Sequence, residues 1–162
     1  MVRKVIIILL FFILAACSEA NSNDESKGLI HETVTEGDFI LEIDSQKETY
    51  RIDEPIEISA SLIFVGEKST ATILHGKPLM PFVVEQFDGD IKLETSVALA
   101  EVKSELKKDE PMEEKLANLS LSRDSKEVDL SNSDEIILPE GEYDVTVMAI
   151  FNYNDNDYEI PL

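Results

Sequence analysis

Cys17 is the only cysteine of this 162-residue chain, and its thiol is the most reactive group in the sequence. A thiol can act as a nucleophile, form a disulfide or accept a covalent group. Cys17 follows an apolar run over residues 5–14, which itself follows Arg3 and Lys4. A basic start, an apolar stretch and small residues before a cleavage site are the parts of a secretory signal peptide. The position of Cys17 therefore favours covalent modification during export.

The four residues Leu14-Ala15-Ala16-Cys17 resemble the lipobox of bacterial lipoproteins. The resemblance implies that residues 1–16 are a lipoprotein signal peptide and that the sulfur of Cys17 receives a diacylglyceryl group. Cleavage would then leave Cys17 as the first residue. The alternative, a transmembrane helix, needs about 20 apolar residues. Because two acyl chains hold a protein stably on a bilayer, we expect a lipid anchor on the extracytoplasmic face of the cell membrane.

His75 is the one histidine within the predicted folded domain, residues 37–162, and it lies at the end of a predicted strand. The sequence contains no H-E-x-x-H, G-x-S-x-G or phosphate-binding glycine motif. A Ser-His-Asp triad through His75 could still assemble from distant residues. A histidine that packs or donates a hydrogen bond at a turn is the simpler interpretation. We therefore expect no catalytic residues and a protein that is not an enzyme.

Oxygen-bearing side chains are concentrated near the C-terminus, at Asn154, Asp155 and Asp157. Carboxylate and amide oxygens are ligands that Ca²⁺ prefers, but the segment lacks the glycine and the final glutamate of an EF-hand loop. Asn and Asp are also the residues that favour a tight hairpin turn. The sequence thus predicts no cofactor and leaves a calcium site as the alternative to a turn.

The chain is strongly acidic, with 34 Asp and Glu against 14 Lys and Arg, which gives a formal net charge of −20. Loss of Arg3 and Lys4 with the signal peptide makes the mature chain still more negative. Such a chain is repelled by nucleic-acid phosphates and by anionic lipid headgroups. Its expected partners are proteins, particularly basic ones, rather than DNA or RNA.

Apolar residues adopt a period of two after residue 37, which predicts β-strands. Residues 17–36 are polar and are expected to form the lipidated N-terminus and a flexible tether. Beyond them, short alternating runs are separated by turn residues such as those at 88–89. This pattern predicts an all-β domain over residues 37–162, an immunoglobulin-like β-sandwich of about 7 to 9 strands. A β-barrel is the alternative.

Residues 97–108 are ambiguous because helix formers dominate while the sequence on either side alternates. A short helix across one end of the sandwich and a strand, loop, strand arrangement are both compatible with them. We favour strand, loop, strand, with residues 107–111 as the interruption between the two strands.

Three segments carry a family resemblance that covers about residues 38–162: YRIDEPI at 50–56, LIFVG at 62–66 and LPEGEY at 138–143. Together they resemble the Ig-like modules of Gram-positive surface lipoproteins. They are also similar to the proteinase-inhibitor domain of the BsuPI type. The first resemblance implies a binding module and the second implies an inhibitor, and neither assigns site residues to this chain.

The function expected from the sequence is that of a membrane-anchored domain that binds another envelope or secreted protein through a sheet edge or through end loops. One alternative is a proteinase inhibitor that inserts residues 76–80 or residues 109–113 into a protease cleft. The other is a cell-envelope enzyme that uses His75.

Overall fold

The computed structural model describes residues 30–121 and 136–162, and this part of the chain forms β-strands without helices. Among these residues there is no helix that is long and apolar enough to cross a membrane. The predicted signal peptide, the lipobox with Cys17 and most of the tether lie outside the described residues. The eleven strands are β1 (Ile30–Glu36), β2 (Phe39–Ser45), β3 (Ile58–Phe64), β4 (Thr70–Lys77), β5 (Phe82–Gln86), β6 (Lys92–Thr95), β7 (Ala98–Lys107), β8 (Pro111–Lys115), β9 (Leu119–Leu121), β10 (Tyr143–Tyr153) and β11 (Asn156–Pro161).

The strands form two antiparallel sheets, which confirms the predicted β-sandwich. The first sheet has the order β1-β2-β3-β8. The second has the order β7-β4-β10-β5-β6-β9, and β11 pairs with β10. Among the residues that the structure describes, the two sheets are not joined by a strand pair, and an isolated bridge connects Phe64 of β3 to Lys108, just after β7. The chain therefore does not adopt the alternative barrel.

The strand count exceeds the predicted range partly because two long strands are interrupted. The strands β4 and β5 run consecutively along β10, with backbone hydrogen bonds from Met148 to Pro81 and from Ile150 to Leu79 between them. Their outer neighbours β7 and β6 are interrupted at residues 96–97. The sequence pattern already separates β4 from β5 at residues 76–78, whereas the alternation over residues 91–99 presents β6 and the start of β7 as one strand.

Apolar side chains from both sheets fill the space between them, as the alternation of β2 illustrates. Phe39, Leu41 and Ile43 of β2 are buried while the residues between them are partly exposed. The Phe39 ring lies 4.7 Å from the Phe151 ring and 5.2 Å from the Tyr153 ring in edge-to-face contacts. Such aromatic pairs each contribute about 0.5–1.5 kcal/mol beyond area burial. This cluster joins β2 to β10 at one end of the sandwich.

Tyr143 fixes the start of β10 by a local hydrogen bond. Its hydroxyl donates to the carbonyl oxygen of Pro139, four residues earlier, at 2.9 Å. A tyrosine bonded in this way at a strand entrance is the tyrosine corner of immunoglobulin-like sandwiches. Gly141 lies close to this corner, and a Cβ there would be 2.6 Å from the side-chain nitrogen of Gln86, so that the flexible Gln86 side chain would have to move. Burial of the phenol raises the pKa of Tyr143.

The first strand corrects the predicted tether. Residues 30–36, which the sequence places in the tether, form β1 and pair with β2 along its whole length. The sequence pattern does not reveal this strand because nearly all of its side chains are exposed, so no apolar alternation marks it. Gly37, at a φ of 56°, makes the turn into β2.

The ambiguous segment forms strands, as favoured by the sequence analysis. Residues 98–107 are β7, which pairs with β4, and a short turn leads into β8. The helix alternative is wrong because the segment pairs with β4 and because exposed and less exposed side chains alternate over residues 101–106 up to the buried Leu106, a period of two that a helix would not give.

Candidate functional site

His75 lies near the end of β4, and both of its ring nitrogens are engaged. Nε2 is 2.8 Å from the hydroxyl of Ser104 on the neighbouring strand β7, and Nδ1 contacts the carbonyl oxygen of Gly76. Since a carbonyl only accepts, Nδ1 donates to Gly76, and in the neutral ring Nε2 then accepts from the Ser104 hydroxyl. The sequence analysis did not identify Ser104, because the partner becomes a neighbour only through the register of β4 and β7.

A serine bonded to a histidine is half of a hydrolase triad, but the rest is not assembled around this pair. In a triad the second ring nitrogen donates to a carboxylate. In the described part of the chain, the group bonded to Nδ1 of His75 is a backbone carbonyl instead. The predicted turn histidine, which bonds to its surroundings, accounts for this geometry.

The candidate calcium ligands lie at the β10–β11 hairpin. Asn154 and Asp155 have φ values of 50° and 62°, the left-handed backbone of a tight hairpin turn. Asp157 accepts a hydrogen bond of 3.0 Å from the Asn152 amide. The described residues contain no group of three or more His, Cys, Asp or Glu side chains placed to hold a metal ion. Turn geometry therefore explains the composition of this segment.

Residues of the second sheet line an open groove of about 710 Å³ on its outer face. It forms where the long strands are interrupted, between β4 and β5 and between β6 and β7. Apolar side chains from both interruptions and from the adjoining strands form its floor: Leu74, Pro78, Pro81, Val97 and Ile150. Val97 and Ile150 are 47% and 40% exposed, so each leaves a large part of its apolar surface open to solvent within the described chain.

Carboxylates stand on both sides of this floor. Glu101 lies on β7 at one side, and Asp155, Asp157 and Glu159 belong to the β10–β11 hairpin at the other. Glu159 is the cross-strand partner of Ile150. No lysine or arginine is among the lining residues of the groove; Lys77 and Lys103 pair with lining residues but lie outside this set. The result is an apolar floor between acidic rims.

The two segments that the sequence analysis considered for protease inhibition are held by hydrogen bonds or by strand pairing. In residues 76–80, Leu79 and Met80 are fully buried. Their backbone N–H groups donate to the carboxylate of Glu114 on β8, at 3.0 Å and 2.8 Å. Within residues 109–113, Pro111 and the residues after it are already paired with β3. Both segments connect parts of the sandwich.

A different loop, residues 46–57 between β2 and β3, is projecting and internally braced. The Tyr50 hydroxyl lies 2.8 Å from Ser45 Oγ and donates to the carbonyl of Glu57. The Glu54 carboxylate accepts from the Arg51 N–H at 2.9 Å and contacts Lys47, and these bonds lower the pKa of Glu54. The loop presents Ile52, which is 65% exposed. The sequence analysis used this segment only as part of a resemblance.

Sheet edges offer a further surface. The strand β1 has a partner on one side only, and its side chains are largely exposed. The strand β11 is an edge strand of the second sheet, where it pairs with β10, and it carries Asp157, Glu159 and Pro161. Charges and proline on an edge strand discourage pairing with a further strand. The strand β1 also carries Glu32 and Glu36 but has no proline, so strand addition is better accommodated by β1 than by β11.

Comparison of the chain with protein-family models, with curated proteins and with solved structures finds no match.

Proposed function

We propose that this protein is a lipid-anchored, extracytoplasmic binding module that is not an enzyme, and that its groove receives a segment of another envelope or secreted protein. The groove carries the proposal. Isolated exposed apolar residues are ordinary, but a concave apolar floor with convergent polar groups is typical of binding sites. The His75–Ser104 pair supports the non-enzymatic part, because its hydrogen bonds are those of a structural contact.

The anchor follows from the lipobox resemblance at Cys17, and the fold indicates how the domain would stand on the membrane. Ile30, where β1 begins, pairs with Ser45 at the end of the sandwich that carries loop 46–57. The β1–β2 turn and the β10–β11 turn lie together at the opposite end, where Gly37 approaches the Tyr158 ring. Twelve residues separate Cys17 from Ile30 and span at most about 45 Å. The tether would therefore attach the domain at the end opposite the β10–β11 turn.

The experiment that tests this proposal is fractionation and chemical cross-linking of intact cells that carry a tagged chain, beside a Cys17→Ala variant. The proposal predicts that the wild-type chain is in the membrane fraction and cross-links reproducibly to one or a few proteins. It also predicts that Cys17→Ala loses the membrane and weakens or removes those cross-links. A wild-type chain that stays out of the membrane would contradict the anchor. A membrane-bound chain without reproducible cross-links would contradict the binding function.

Proteinase inhibition is the second candidate, and the braced loop 46–57 is the observation that favours it. Inhibitor loops are exposed but held rigid, which lowers the cost of ordering them on binding. The test is the residual activity of a panel of secreted proteases after incubation with the chain. Inhibition that is lost in Ile52→Ala and retained in Ile137→Ala, a second exposed isoleucine, would place the inhibitor function first. Full protease activity throughout would remove this candidate.

A further inference from the structure

We infer that the groove selects a cationic partner segment, one that presents apolar side chains to the floor and lysine or arginine side chains to both rims. This inference rests on the proposed binding function and specifies the chemistry of its partner. It follows from the arrangement of floor and rims across four neighbouring strands.

The floor determines where the partner's apolar groups would lie. The strands cross the groove in the order β11, β10, β4 and β7, and Ile150 of β10 and Leu74 of β4 occupy the two central strands. Side chains along β10 point alternately to the two faces of the sheet, so that Val147, Ala149 and Phe151 are buried and Ile150 faces outward. Val97 extends the apolar surface at the interruption of the outer strand pair. Covering these side chains removes apolar area from water, which is the main source of affinity.

The rims determine the charge of the partner. Neighbouring strands are about 4.8 Å apart, so β11 and β7 lie roughly 14 Å from each other. That width accommodates one extended chain or one helix between Glu159 on one side and Glu101 on the other. An anionic segment would place its carboxylates against both rims, whereas lysine or arginine side chains would find acceptors on each side. Rim charges act mainly on partner choice and association rate.

The general acidity of the molecule does not by itself explain this selectivity. Carboxylates occur over the whole surface, and any of them attracts a polycation at low ionic strength. The groove differs because its carboxylates flank exposed apolar side chains. Only a segment with both apolar and cationic side chains can cover the floor and pair with the carboxylates of the rims. Binding to the groove should therefore require the apolar groups of the partner and should survive physiological salt better than binding to the general surface.

The test uses the folded Cys17→Ser chain and three synthetic peptides of equal length. The first alternates lysine with valine, the second alternates lysine with serine, and the third alternates glutamate with valine. Binding is followed by amide NMR shifts at about 0.15 M ionic strength. We expect the lysine–valine peptide to bind with shifts centred on Leu74, Val97 and Ile150, and we expect the other two peptides to bind at least about tenfold more weakly.

Variants assign the binding to the groove. Val97→Ser lies outside the strands, and Ile150→Ser changes the floor within β10; each should weaken the lysine–valine peptide roughly tenfold. The double charge reversal Glu101→Lys with Glu159→Lys should do the same. The matched control, Glu48→Lys with Glu113→Lys, makes the same change in net charge at exposed positions outside the groove and should stay within about twofold.

Three results would overturn the inference. If the groove variant and the control variant lost the same amount of affinity for the lysine–valine peptide, the peptide would be attracted to the acidic surface in general. Equal binding of the glutamate–valine peptide would show that the rims do not select charge. Absence of shifts with all three peptides would remove the inference while leaving the proposed function open to the cross-linking experiment, because a partner could then be captured at another surface.

Discussion

The hydroxyl of Tyr143 illustrates how one atom fixes the start of a long strand. In Tyr143→Phe the ring remains and the bond to the Pro139 carbonyl is lost. We expect a loss of about 1 kcal/mol in the free energy of unfolding, measured by urea denaturation. Tyr158→Phe is the control, because it retains the ring that stacks on Phe151 at 4.9 Å. Equal stability losses in both variants would contradict a specific role for the corner.

The His31–Asp44 contact predicts a pH effect confined to the first strand. His31 Nδ1 lies 2.7 Å from the Asp44 carboxylate, and this hydrogen bond, followed by attraction to Asp44 and Glu42, raises the pKa of His31. A raised pKa in the folded state means that the stabilisation is complete below the ordinary histidine pKa. It is lost as the pH rises through the folded pKa.

An NMR titration of the His31 ring tests this. We expect the pKa of His31 to lie above the ordinary value in the wild-type chain and to return toward it in Asp44→Asn. The protection factors of the β1 amides, which correct for the intrinsic pH dependence of exchange, should also fall above the folded pKa. Because the pair is well exposed, the effect on global stability should be small. An unchanged pKa in Asp44→Asn would show that the contact does not form in solution.

At the scale of elements, Glu114 connects the two sheets where β4 and β5 are interrupted. Its carboxylate accepts the N–H groups of Leu79 and Met80, which are buried and have left the regular strand ladder. Glu114→Ala removes both acceptors, so we expect a loss of about 2–3 kcal/mol in the free energy of unfolding.

The neighbouring variant Glu113→Ala provides the control for this element. Glu113 lies on the same strand but is exposed, on the opposite face from Glu114, and its removal should change stability by less than about 0.5 kcal/mol. Thermal or urea unfolding of both variants gives the comparison. If Glu114→Ala were as stable as Glu113→Ala, the carboxylate would not be what holds the interrupted strand.

The elements also show which features a single sequence carries. Alternation identified β2 and β3, and turn chemistry identified the hairpin at Asn154, because these signals depend on residues close together in the chain. The exposed strand β1 has no such signal, since pairing with β2 determines it. The groove was not predictable either, because Leu74, Val97 and Ile150 are far apart in the sequence. They line one groove only because β4 pairs with β10 on one side and with β7 on the other.

At the scale of the whole molecule, the formal net charge of −20 should itself oppose folding. Raising the ionic strength from about 0.01 M to 0.15 M shortens the Debye length from about 30 Å to 8 Å. We therefore expect the melting temperature of the Cys17→Ser chain to rise by a few degrees, measured by circular dichroism. Sodium and potassium chloride should act equally, because screening depends on charge alone. A melting temperature that falls with salt would show that attractive pairs dominate.

The lipid anchor holds the sandwich at the membrane, where the outer face of the second sheet can bind a cationic segment of a neighbouring protein. The measurement that tests this most directly is site-specific photo-cross-linking in intact cells, with a photoreactive residue at Val97 in the groove or at Thr33 on β1. We predict that position 97 captures a partner protein through a lysine- or arginine-rich segment and that position 33 does not. A partner captured at position 33 but never at 97 would contradict the account.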